Sequence, residues 1–287
     1  MNITTARVAR QINVPISMLA SRTNFQGALW AKDPKSGAES FFQMQAKSVD
    51  KGDIEDLYVH RYSVKGDDFT HVDTMVGRGL GHCQTGKARI SSAGNPSLWL
   101  GFETYDSKNQ TVGQKVHKVM YRKGEMNRTS KYVTPIWTGG NYVTPIDCPD
   151  WTIVLRRPAG EAEIYEWYDE RALFAATEKT PAKYTKRIVV PKVKTFQSAC
   201  AVGSFKDPQS VFRLNGSATD TPQWLTQFPV NGLASQLETT DIVTGSGGGT
   251  VEEPEAVLSV RGELWVGKQT SPYDKSRLLA YMPLRLS

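Results

Sequence analysis

Apolar and polar side chains alternate with a period of two along most of this chain. Asp56–Val64 alternates and reads as a strand, Lys65-Gly-Asp-Asp68 supplies a turn, and Phe69–Val72 returns. Ser97–Tyr105 is a longer and more apolar run, and Gln114–Tyr121 alternates up to a turn at Lys123-Gly124. Trp151–Arg156, Lys186–Val190, Ser210–Leu214, Ala256–Val260, Glu263–Gly267 and Arg277–Tyr281 complete the set. Helical periodicity is nearly absent. Glu161–Ala176 is rich in helix formers, yet its Ile164–Tyr168 portion alternates as a strand does, so both readings stay open. Short strands at this density, separated by Gly, Pro, Asn and Asp turns, predict an all-β fold.

A second pattern lies above the strands. Asn24–Trp30, Gly81–Gly86, Thr144–Pro149, Thr195–Cys200 and Glu252–Leu258 each pair a polar residue with a turn into small or apolar residues. Starts at Phe25, His82, Ile146, Phe196 and Glu253 are spaced by 57, 64, 50 and 57 residues. That period is longer than the roughly 40–50 residues of common propeller blades and suits one four-stranded sheet with generous loops. The expectation is a five-bladed β-propeller of four-stranded antiparallel blades over residues 21–287. Residues 1–20 then form a strand that closes the ring or an arm that docks on a neighbour. Gly245-Ser-Gly-Gly-Gly249 reads as a loop between blades.

Composition narrows the class. Hydrophobic residues make up 39% and charged residues 22%, as in ordinary soluble proteins, and no run approaches the roughly 18 apolar residues of a membrane span. The N-terminus, Met1–Arg10, lacks the apolar core of a secretion signal, so the expected route is cytoplasmic synthesis followed by lysis or signal-independent release. Thirty-five basic and 29 acidic residues leave a net charge of +6, but the two signs are interspersed. The densest basic run, Lys183–Lys194, alternates with apolar residues like an exposed strand edge. No nucleic-acid partner is expected, while a mild attraction to anionic wall polymer remains open. Cys83, Cys148 and Cys200 are widely spaced, with no CxxC or Cys/His cluster, and read as buried thiols. No metal or cofactor is expected.

Candidate chemistry follows from the blade geometry. Inner strands converge on one end of a central channel, so Gln26, His82, Gln84, Asp147, Gln197, Glu253 and Glu255 would form a polar ring there. Such a ring suits sugar hydroxyls, water or a cation, or else pins adjacent blades together. Glycoside cleavage needs two carboxylates about 5–10 Å apart; Glu253 and Glu255 alternate on one strand entry and could be that close, but so could many pairs, so the sequence supports hydrolysis poorly. No G-x-S-x-G, HExxH or phosphate-binding loop occurs. His60, His71, His82 and His117 are scattered, and three of them sit in alternating strands as surface or half-buried residues. Trp137 and Tyr142 lie in a glycine-rich loop and either offer a surface on which a sugar could stack or fold back to cover a blade edge. Trp30, Trp99, Trp151 and Trp265 lie in strand runs and read as core between blades.

Three stretches resemble a family. Gly79-Leu-Gly-His-Cys-Gln-Thr85, Ser97-Leu-Trp-Leu-Gly-Phe102 and Lys115-Val-His-Lys-Val-Met-Tyr121 resemble the helveticin-like propellers, also labelled teichoic-acid-biosynthesis-C-like. Glu253-Pro-Glu-Ala-Val-Leu258 and Glu263-Leu-Trp-Val-Gly267 resemble that group's last blade. Cys83 and Ala256 depart from its pattern, which has glycine at both positions. The resemblance implies a five-bladed propeller that recognises a bacterial surface or sits in a virion. The leading expectation is therefore a non-enzymatic phage virion protein, a tail-tip, fibre or minor tail component. It would assemble in the host cytoplasm as a homo-oligomer with other tail proteins and contact wall glycan or teichoic acid. A helveticin-like bacteriocin is the alternative, and a wall-polysaccharide hydrolase or lyase is a third.

Overall fold

Alternating runs become strands where one face can be buried. The computed structural model describes residues 6–8, 12–15, 23–49, 54–216, 224–238, 252–270 and 278–286. Two short strands, β1 (Ala6–Val8) and β2 (Ile12–Pro15), precede a run of antiparallel meanders. The first meander is β3 (Thr23–Lys32), β4 (Glu39–Ser48), β5 (Glu55–Lys65) and β6 (Asp68–Gly77). The second is β7 (Gly86–Ile90), β8 (Pro96–Tyr105) and β9 (Thr111–Met120). Beyond β9, β10 (Gly124–Met126) joins β6 in parallel, whereas β11 (Val133–Pro135) pairs antiparallel with β9.

The third meander is β12 (Thr144–Asp147), β13 (Thr152–Ala159), β14 (Ala162–Asp169) and, after the short helix α1 (Glu170–Phe174), β15 (Lys186–Pro191). The fourth is β16 (Phe196–Gly203), β17 (Pro208–Asn215), β18 (Trp224–Pro229) and β19 (Ser235–Glu238). A single parallel pair, Asp147 with Cys200, joins these two into one sheet. The chain closes with β20 (Glu252–Val260), β21 (Glu263–Thr270) and β22 (Leu278–Leu286), and both β1 and β2 run antiparallel along β22.

Successive meanders stack face to face. Phe42, Met44 and Val59 of the first pack on Leu98, Leu100 and Phe102 of the second. Trp99 and Val116 then meet Ile153, Leu155 and Tyr168, and Val154 and Trp167 meet Ala199 and Val211. Phe212 and Leu225 meet Val257 and Val266, while Leu258 and Trp265 return to Phe25, Trp30 and Phe41 of the first. The last meander thus packs against the first, and the arrangement is all-β and propeller-like. The first strands β3, β7, β12, β16 and β20 are neighbours in the same circuit. Burial of large side chains such as Trp99, Trp167 and Trp265, each worth about 2–3 kcal/mol, stabilises these seams.

Several expectations are revised. Ile164–Tyr168 is strand, in β14, and α1 is confined to Glu170–Phe174. Trp151 is not core: 45% of it is exposed at the β12–β13 turn, between the guanidiniums of Arg89 (3.2 Å) and Arg171 (4.0 Å). His60 and His117 are buried, rather than surface or half-buried as expected. Cys83, Cys148 and Cys200 are free, buried thiols; burial pushes Cys83 and Cys148 up to about 12 and Cys200 well above its usual value. Gly245–Gly249 lies outside the described residues.

Candidate functional site

The turn from β6 to β7 builds the site. Gly79 and Gly81 take left-handed φ values of 60° and 86°, which glycine adopts at no steric cost. Gly79 N–H donates to Asp56 Oδ1 (2.8 Å), and Gly81 N–H donates to the Glu55 carbonyl (2.9 Å). A Cβ at Gly81 would stand 2.6 Å from the Tyr105 hydroxyl and closer still to Glu103 Oε2. The missing side chain therefore lets a carboxylate and a phenol from β8 reach under the turn.

His82 is held between two carboxylates. Its Nδ1 lies 2.9 Å from Glu55 Oε2, and its backbone N–H donates to Glu103 Oε2 at 3.1 Å. Tyr105 O–H donates to the same Glu103 oxygen at 2.9 Å. His82 Nε2 has no partner among the described residues, and 35% of the His82 side chain is exposed. Burial, reinforced by the Glu103 charge, raises the Tyr105 phenol above its usual range, so it stays a neutral donor. Arg128 closes the back of the cluster. It donates to the carbonyls of Gly79 (3.0 Å) and Glu103 and lies over the Tyr105 ring, and burial lowers its pKa.

Gln114 ties the turn to the next meander. Its Nε2 donates to Gly101 O (3.1 Å) and, at 3.4 Å, to His82 O, while its Oε1 accepts from Thr144 Oγ1 (2.5 Å). Gln114 also bridges in parallel to Tyr142. Tyr142 is 50% exposed and Trp137, on the same loop, 36%, so both face solvent.

The predicted ring is brought together in part. Gln84 Nε2 donates to Gln197 Oε1 (3.2 Å), and Thr85 Oγ1 donates to Ala199 O (3.1 Å). Gln26 is buried beside them, since a Cβ on Gly27 would collide with Gln84 O; Gln26 Oε1 has no hydrogen-bond partner among the described residues. Glu255 is also buried. Glu253 lies on β20, with its side chain outside those described. Asp147 departs from the expected position, because it ends β12 rather than starting it. It sits 3.5 Å from Lys87, which also donates to Cys148 O, and burial raises its carboxyl to about 6 against the pull of Lys87. Glu55, Glu103, Tyr105, Gln114 and Arg128 escape sequence reasoning, because only the packing of the turn on β8 reveals them.

Among the described residues no group of three or more His, Cys, Asp or Glu side chains is arranged to hold a metal ion. Nor is any helix among them long and apolar enough to cross a membrane. No protein-family description matches the sequence, and no curated protein is similar to it. Similar solved structures exist. One is MPT-4, a mannose phosphorylase from Leishmania mexicana in complex with phosphate, at 10% identity and TM-score 0.44 over 92% of this chain and 88% of that one. Another is the GH93 α-L-arabinofuranosidase of Fusarium graminearum with arabinobiose, at 10% identity and TM-score 0.41 over 91% and 77%. A third is a Trypanosoma rangeli sialidase with 2,3-difluorosialic acid, at 10% identity and TM-score 0.39; the match covers 91% of this chain and 45% of that one.

These findings run against the leading expectation. The similar structures are named as carbohydrate-processing enzymes, none as a non-enzymatic phage virion protein or a partner of tail proteins. The expectation that the chain is not an enzyme runs against the same finding. Its physical basis was a lack of catalytic motifs, and the Glu55–His82–Glu103–Tyr105 cluster is assembled from three separate segments that no motif spans.

Proposed function

We propose that this protein is a carbohydrate-active enzyme that cleaves bacterial wall polysaccharide, built on a five-bladed propeller. The five meanders would be its blades, with β1 and β2 completing the last. The observation that carries the enzymatic reading is His82, oriented by Glu55 and standing on a second carboxylate, Glu103, that also holds the Tyr105 phenol. Glycosidic cleavage needs one group to protonate the leaving oxygen and a second to activate water or to attack. The Glu55–His82 pair supplies an imidazole whose Nε2 faces solvent. Glu103, with its neutral phenol, supplies the second proton-transfer group. Trp137 and Tyr142 form the rim on which a sugar ring stacks, and the Gln84–Gln197 pair closes the channel beneath it.

The test is turnover. Purified protein should release new sugar ends from wall polysaccharide. Glu55→Gln and Glu103→Gln should each lower that rate by about 100-fold or more while thermal stability changes little. Absence of any release by the unaltered protein, or full activity in both variants, would sink the reading.

A further inference from the structure

A cleft of about 500 Å³ opens on the seam between the β16–β19 and β20–β22 meanders, at the end of β16 opposite the Gln84–Gln197 contact. Five residues separate Gln197 from Val202 on β16, so the two places lie roughly 16 Å apart along the strand. The volume is in the range of small-molecule sites. Phe212, Leu264 and Val202 give the cleft an apolar wall.

Two buried polar side chains stand in that wall. Gln227 Nε2 donates to Ser210 Oγ at 3.1 Å, which fixes the amide. Gln227 is 4% exposed, and its Oε1 has no hydrogen-bond partner among the described residues. A buried acceptor left in this state carries a desolvation cost that a ligand donor would recover. The rim carries carboxylates, Asp207 and Glu263, with no Lys, Arg or His in the lining. On a chain of net charge +6, this is an acidic hollow.

Asp207 is placed there by backbone. Ser204 N–H donates to Asp207 O (2.9 Å), and Asp207 N–H donates to Ser204 O (3.2 Å). The turn requires Gly203, whose φ is 93° and whose Cβ would collide with Asp207 O. Gln209 Nε2, at 3.4 Å, approaches the Asp207 carboxylate and orients it.

We propose that this cleft is a second, non-catalytic saccharide site that takes an amino-sugar unit. The ring's apolar face lies on the Phe212–Leu264 wall, a hydroxyl donates to Gln227 Oε1, and the ammonium meets Asp207 at the rim. The site stands whether or not the His82 cluster cleaves glycan.

Calorimetric titration with the β-1,4-linked glucosamine dimer, and with its N-acetylated counterpart, tests it. The amino form should bind saturably at one site, at least about ten-fold more tightly than the acetylated form, which has no ammonium. Gln227→Leu should weaken that binding by about ten-fold, because the acceptor is gone. Asp207→Asn, an exposed change that leaves the fold intact, should abolish most of the preference over the acetylated dimer. Glu103→Gln should leave binding unchanged. Failure of both sugars to bind, equal affinity for the two, indifference to Asp207→Asn, or loss of binding in Glu103→Gln would each overturn the assignment.

Discussion

At Gly81 a missing side chain shapes the site more than any side chain present. The recurrent Gly-His segment was legible as a turn, and His82 and Gln84 were legible as polar residues on it. The partners of His82 were not. Glu55 and Glu103 sit on β5 and β8 among ordinary alternating residues, and only the fold of the turn over β8 singles them out. His60 shows the same limit, since alternation placed it at the surface or half-buried. It is instead enclosed, donating through Nε2 to Gln45 Oε1 (3.0 Å) and accepting from Thr74 Oγ1 (2.8 Å) at Nδ1. Burial, with a smaller contribution from His71, lowers His60 from 6.5 to about 4. The unfolded chain therefore takes up this proton first as pH falls. Stability present above pH 6.5 drains away between 6.5 and 4, by roughly 3 kcal/mol. Urea unfolding at pH 7 and pH 4.5 checks this, and His60→Gln should flatten that part of the profile.

At the scale of elements, alternation found the strands that have one buried and one solvated face. It passed over β4 and β18. Phe41–Ala46 of β4 is buried on both faces, and in β18 Thr226 and Gln227 are buried beside Leu225 and Phe228, so no contrast marks either strand. The β14–α1 junction was ambiguous for a different reason, because strand and helix signals are contiguous there. Asp169 ends one and caps the other, accepting from Arg171 N–H (2.9 Å) and Ala172 N–H (3.0 Å). The helix start in turn holds Glu170, which accepts from Trp99 Nε1 and Arg89 of the preceding meander, both at 3.1 Å. Asp169→Ala should cost about 1 kcal/mol, measured by chemical denaturation, as caps of this kind do.

Across the whole molecule, charged side chains fasten neighbouring meanders. Arg261 at the β20–β21 turn grips Glu39 of β4, with Nε 3.0 Å from the carboxylate, and Arg213 of β17 reaches Glu163 of β14 at 3.3 Å. Burial pushes the Glu163 carboxyl up, but Arg156, Arg213 and the Tyr165 hydroxyl outweigh it and hold its pKa below the usual value. Glu163 is thus a buried anion that depends on two cations from different meanders. Arg213→Leu should cost about 3 kcal/mol in equilibrium unfolding, because one of those cations is lost inside the seam. A smaller loss, under about 1 kcal/mol, would mean that Arg156 alone satisfies the carboxylate.

The pairing of Ala6 with Leu286 and of Ile12 with Tyr281 bears on how the molecule is made. A ribosome produces β1 and β2 long before β22, the strand they lie against. Each earlier meander can take shape as it leaves the tunnel, but this sheet must wait for β22 to be made. Until then the first meander's aromatic face, Trp30 and Phe41, has no Trp265 to cover it. Nascent chains stalled before residue 260 should therefore recruit chaperones that chains extended past β22 release.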